Sequence, residues 1–133
     1  MITDAVVELI IGVEHDPQVG PCMMLGTGGV LVELLQDVQI VLLPARRSEF
    51  ETALEKLKVM PLLKGFRGTS RGDTVALLDS LETLSSHILS ATGSVSELDI
   101  NPMLVRPLGK GVVAADVLLS QVHKPLSDRR GSV

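Results

Sequence analysis

Aromatic side chains are almost missing from this chain: two Phe, no Trp and no Tyr in 133 residues. The core must be aliphatic, and the stacking platforms of single-stranded nucleic-acid binders are lacking. Lys and Arg are absent from residues 1–45, and the net charge is −4. A phosphate-backbone binder concentrates positive charge, so no nucleic-acid partner is expected. No apolar run approaches the ~20 residues that span a bilayer. The N-terminus has no basic stretch, and Asp4 and Glu8 interrupt its apolar residues, which excludes a secretory signal. These absences point to a cytoplasmic protein without membrane contact. The single cysteine, Cys22, has no intrachain disulfide partner and reads as a buried small hydrophobe within PCMML. There is no HExxH, CxxC, GxSxG or P-loop pattern, and the three His show no metal-ligand spacing.

What is there suits one globular domain: 45% hydrophobic and 21% charged residues over a length that supports a core without staples. Val6–Val13, interrupted by Glu8, reads as a mostly buried strand, and His15–Pro21 is dense in turn formers. Strands are expected at Cys22–Leu25, Val30–Leu35 and Val38–Leu43, with Gly26–Gly29 between the first two. Ser48 and Glu51 have capping-box spacing, so a helix is expected from Ser48 to Val59, with a connector around Pro61. Asp73 caps a longer helix with one stripe of Leu77, Leu78, Leu81, Leu84 and Ile88, ending near Gly93. His87 reads as a partly exposed C-terminal residue of that helix. Leu98–Val105 and Val112–Leu119 form a hairpin about the Pro107–Gly111 turn. Strands and helices are grouped rather than alternating, which implies an α+β fold: a largely antiparallel sheet with two main helices packed on it. Residues 1–120 form the folded unit, and 121–133 are expected to be a flexible polar tail.

The constellation richest in chemistry lies in the last hairpin. In a strand, Glu97, Asp99 and Asn101 share one face. The return strand brings Asp116 alongside, and an acid inside VVAADVLL needs a partner there. Asp99, Asn101 and Asp116 make an all-oxygen set suited to Mg²⁺, though the face could equally be merely solvated. Two weaker signals accompany it. Gly28 and Gly29 could cradle phosphate with backbone N–H groups, or simply form a bend between strands. Arg67, between two glycines, could reach a phosphate or form a surface ion pair. Seven of the twelve basic residues lie between Arg46 and Arg71, which fits either a phosphorylated ligand or a solvated helix face.

Three blocks carry a family resemblance: ELIIGVEHDPQVGPCMMLGTGGVLVELLQD, LLKGFRGTSRGD, and ELDINPMLV followed by GVVAAD. Together they resemble the C-terminal part of the ATP-grasp domain of ADP-forming acyl-CoA synthetases (acetate–CoA ligases), relatives of the succinyl-CoA synthetase β subunit. The resemblance runs from Glu8 to Leu119. It implies a sequence in which acyl-CoA and phosphate give an acyl phosphate, the phosphoryl passes to a His, and the ATP-grasp domain delivers it to ADP. It implies Mg²⁺ on Asn101 and Asp116 with Asp99 beside them, and ATP or ADP as the nucleotide. No residue matches the family's phosphorylated His, so no catalytic residue is assigned. The N-terminal subdomain and the CoA-binding and ligase domains have no counterpart here and are the implied partners, without which the chain would not catalyse. Two positions depart from the family: Leu118 stands where a basic residue is common, and Val19 where a Phe is. Leu118 leaves room for a non-catalytic regulatory module, like that in some bacterial protein acetyltransferases. A weaker alternative is a scaffold pairing with a separate half-chain.

Overall fold

The computed structural model describes residues 2–28, 37–66, 68–90 and 95–121. The first strand, β1 (Val7–Asp16), puts Val7, Leu9, Ile11 and Val13 on one face, all buried, and Glu8, Ile10, Gly12 and Glu14 on the other. That period of two lets one face join a core while the other stays open. A tight turn leads into β2 (Gly20–Thr27). Asp16 Oδ1 holds the turn by accepting from the N–H groups of Gln18 (2.7 Å) and Val19 (3.1 Å), the side-chain turn expected of this composition. Gly20 takes φ +86°, a region that favours glycine. Val19 is 55% exposed at the tip, so its departure from the family's Phe costs no packing here.

β3 (Val38–Leu42) pairs with β2, and β4 (Val95–Val105) pairs with β1 on its other side. The expected strand at Val30–Leu35 lies outside the described residues. The expected return strand Val112–Leu119 is two strands, β5 (Val112–Ala114) and β6 (Val117–Gln121), both antiparallel to β4. The break falls opposite Asn101–Pro102, where two residues of β4 face Ile10 alone and the β1 register slips. Pro102 has no N–H to donate, and such a bulge bends the ladder. The result is a six-stranded antiparallel sheet, ordered β3-β2-β1-β4 with β5 and β6 sharing the far edge of β4.

Helices cover one face of that sheet. α1 (Arg47–Glu55) starts one residue earlier than expected and ends four earlier than Val59. Its capping acid is Glu49, not Glu51: Glu49 Oε1 accepts from the Arg46 N–H at 3.2 Å. The anticipated connector at Pro61 holds a short helix, α2 (Met60–Leu63), with Pro in its first turn, where no N–H is missed. α3 (Thr74–Ser90) buries Leu77, Leu78, Leu81 and Ile88, as the stripe predicts, and His87 is exposed in its last turn. The core between helices and sheet is aliphatic apart from Phe50.

Asp73 does more than cap α3. Its Oδ1 accepts from the Ala76 N–H (3.2 Å), while Oδ2 accepts from Gly109 (3.0 Å) and Gly111 (2.8 Å) in the β4–β5 turn. These N–H donors, Ala76 foremost, hold its carboxyl below the ordinary range. Asp4 is held low too, chiefly by Arg106, whose guanidinium grips both carboxylate oxygens at 3.0 and 3.2 Å. A carboxyl depressed in the folded state contributes stability that is full above its unfolded pKa of ~4 and is lost as pH falls further. Thermal melts between pH 7 and pH 3 are therefore expected to show Tm falling steeply at the acid end. Asp73→Ala is expected to lower Tm at pH 7 and flatten that acid fall. An equally steep fall in the variant would contradict the assignment.

Candidate functional site

Opposite the helices, the sheet face is open. Register pairs line up a row across five strands: Ile40, Met24, Gly12, Asp99 and Leu118. A second row runs Leu42, Cys22, Glu14, Glu97 and Ser120. The face is apolar at its sides, with Ile40 and Leu118 each 67% exposed, and acidic along its middle. Cys22 is therefore not the buried hydrophobe expected. It is half-buried at the rim of a shallow hollow of about 370 Å³ that Glu14, Met24 and Asp99 also line.

Asn101 and Asp116 meet at the break between β5 and β6. The Asn101 N–H donates to the Asp116 carbonyl oxygen at 3.0 Å, which fixes the two residues side by side. Both side chains are exposed, as is Asp99. Asp99 pairs with Leu118, two residues beyond Asp116 in the chain. The expectation that Asp116 needs a partner to offset burial is corrected. The interruption of the strand places its carboxylate in solvent, where it is free to meet a ligand. Among the described residues, no three His, Cys, Asp or Glu side chains cluster as a ready metal cage. The donors brought together are instead one carboxylate and one amide, with Asp99 further along. That sparse, hard, all-oxygen set fits Mg²⁺, which keeps several waters and shares its coordination with phosphates.

Gly28 lies on the same side of the molecule as this pair. A cleft of about 710 Å³ is lined by Glu8, Thr27 and Gly28 on one side, Lys58 on another, and Pro102 and Ala115 next to the Asn101–Asp116 pair. The Gly28 N–H donates to the Glu8 carbonyl at 2.8 Å, and a Cβ there would come within 3.2 Å of Glu8 backbone atoms. Close approach to β1 therefore accounts for this glycine, as the bend reading requires. Its N–H is committed, so any phosphate contact needs other donors from the turn. Gly29 and Arg67 lie outside the described residues. Two residues of the basic stretch are in ion pairs on the helical side: Arg47 with Asp79 (2.7 Å) and Glu82, and Lys64 with Glu55 (2.9 Å). Lys58 is the basic residue at the cleft. The sequence pattern did not single it out, because nothing local distinguishes it from its neighbours. Asp37, buried behind the same cleft, was also missed.

The sheet is thus covered by helices on one face and carries an exposed amide–carboxylate pair on the other, with the cleft at its end between the two layers. The ATP-grasp domain profile matches residues 1–120, and the chain belongs to that family. A trans-feruloyl-CoA synthase from an unidentified prokaryote is 36% identical over 112 residues, 84% of this chain and 16% of that protein. The β subunit of an ADP-forming acetate–CoA ligase II from Pyrococcus furiosus is 36% identical over 82% of this chain and 46% of its own length. A crystal structure from Pyrococcus horikoshii superposes with TM-score 0.86 at 32% identity, over 93% of this chain and 52% of that one. An acetyl-CoA synthetase from Candidatus Korarchaeum cryptofilum, solved with coenzyme A and Mg-AMPPCP, superposes with TM-score 0.79 at 36% identity, over 87% of this chain and 53% of that one. This chain thus spans less than half of the β subunit and about a sixth of the feruloyl-CoA synthase.

Proposed function

We propose that this chain is the metal- and nucleotide-binding half of the ATP-grasp domain of an ADP-forming acyl-CoA synthetase, and that it does not catalyse alone. The complete reaction is acyl-CoA + ADP + phosphate giving carboxylate + CoA + ATP. The observation that carries the reading is the Asn101–Asp116 pair, locked in register on an uncovered sheet face beside the cleft. In this reading Asn101 and Asp116 hold Mg²⁺, with Asp99 adjoining. The metal supplies charge neutralisation on the phosphoryl oxygens. The reading assigns polyphosphate contact to Gly28, Gly29 and Arg67, through donors other than the Gly28 N–H.

Val38, Ile40 and Leu42 support the partner assignment. They are exposed on a face where an antiparallel strand normally carries polar residues. An apolar face of this kind calls for cover. The N-terminal ATP-grasp subdomain supplies it, and the CoA-binding and ligase domains supply the acyl chemistry. Phosphoryl transfer depends on positioning by both lobes, which is why half a domain binds without turning over. The location is the cytoplasm, where ADP is available; among the described residues, no helix is long and apolar enough to cross a membrane. The expected tail boundary at residue 121 is corrected, because Gln121 ends β6 and pairs with Val95; residues 122–133 lie outside the described residues.

A second reading has one observation in its favour. Leu118, at 67% exposure, stands next to Asp99 where a basic phosphate contact is common in the family. A non-catalytic regulatory module that no longer binds nucleotide tolerates that change. Calorimetric titration with MgADP, and with ADP in EDTA, separates the two. The half-site reading predicts binding that needs the metal. No heat at millimolar MgADP would favour the decayed module.

A further inference from the structure

Asp37 is only 3% exposed, and a carboxylate at that depth needs donors. It has three, from two distant parts of the chain. Oδ1 accepts from the Lys58 backbone N–H at 2.7 Å; Oδ2 accepts from the Val59 N–H at 3.2 Å and from the Thr27 hydroxyl. Its own carbonyl oxygen accepts from the Thr27 N–H at 2.9 Å. One residue on, Gly28 is pressed against Glu8 of β1. These bonds fix three walls of the 710 Å³ cleft relative to one another: the end of β2, the start of β1, and the segment bearing Lys58. The sheet ladder does not need them, since β1, β2 and β3 pair along their own lengths.

We propose that Asp37 is the positioning residue of this cleft, holding the Thr27–Gly28 edge and the Lys58–Val59 backbone in the arrangement that receives a nucleotide's phosphates. The inference rests on the reading of the cleft as the phosphate side of a nucleotide half-site. Asp37 touches no ligand; it lies behind the wall. An ionised carboxylate suits the post because it only accepts, and all its partners donate. Asparagine, nearly the same size, must turn an NH₂ group towards one of those donors.

The test uses Asp37→Asn and the milder Thr27→Val, which removes one donor and covers the case in which the first variant fails to fold. Amide hydrogen exchange by NMR and MgADP affinity by calorimetry are measured where circular dichroism shows each variant folded. In Asp37→Asn, exchange at the Lys58 and Val59 amides is expected to rise about tenfold, the scale of losing one charge-assisted hydrogen bond. Val13 and Leu98, at the far end of the sheet, keep their rates. MgADP affinity falls by about tenfold as the cleft loses its preorganisation. Thr27→Val gives the same changes in smaller measure. Unchanged exchange at Lys58 and Val59 overturns the proposal. So does faster exchange with unchanged MgADP affinity, which would leave Asp37 a structural bond only. Failure of the unaltered chain to bind MgADP is a separate failure: it removes the nucleotide reading of the cleft, while the exchange rates still decide whether Asp37 locks its walls.

Discussion

Asp116→Ala is expected to weaken MgADP binding by about ten- to a hundredfold, the scale of one lost charge-assisted contact, while leaving weak binding of ADP in EDTA unchanged. The metal-free arm matters, because a general disturbance of the cleft would weaken both. Folding should be untouched. The Asp116 side chain is exposed, and its backbone carbonyl, which the variant keeps, accepts the Asn101 N–H. Asn101→Ala should behave alike. If the two donate to one ion, the double variant should lose little beyond the worse single variant, since residues acting as a unit are not additive. Equal losses with and without metal would remove Mg²⁺ from this pair.

Phe50→Ala carries the largest expected effect on the fold. Phe50 is fully buried and is the largest side chain in a core otherwise built from aliphatic residues. Such a truncation costs about 3–5 kcal/mol, through lost transfer energy and the cavity left behind. Against a typical total of about 5–15 kcal/mol, that takes a small domain to the edge of unfolding. Urea denaturation checks it through a lowered midpoint at similar slope. Phe66, the other aromatic, is 47% exposed, and Phe66→Ala should cost far less. Equal costs would mean that the two residues do not sit as described.

Much of this fold was legible because hydrophobic period and facing coincide. The strand at β1 was legible, though only one of its faces is buried; the leucine stripe of α3 named four of its buried residues, with Leu84 half-buried and Ser85 missed; and the turn at Asp16 to Gly20 followed from its composition. The misses were of another kind. The cap of α1 could not be read from spacing: Ser48 and Glu51 fit the pattern better than Arg46, whose side chain has no acceptor, yet the helix begins at Arg47 and Glu49 reaches back to the Arg46 N–H. The break at Ala115–Asp116 comes from the bulge at Pro102 in another strand, a long-range cause that local sequence does not carry. At the site, the approach of Asp116 to Asn101 was readable from the hairpin turn. Asp37 was not, because its donors lie 10 to 22 residues away. The exposed apolar residues of β3 are legible only in retrospect: apolar on both faces, the strand reads as one covered on both sides.

The account turns on where nucleotide binds. Backbone amide shifts of the labelled chain, followed by NMR as MgADP is added, test this most directly. The account predicts the largest changes on the open sheet face and the cleft, at Gly12, Gly28, Asp99, Asn101 and Asp116, with α1 and α3 silent. Changes centred on the helical layer, or none at saturating MgADP, would contradict it.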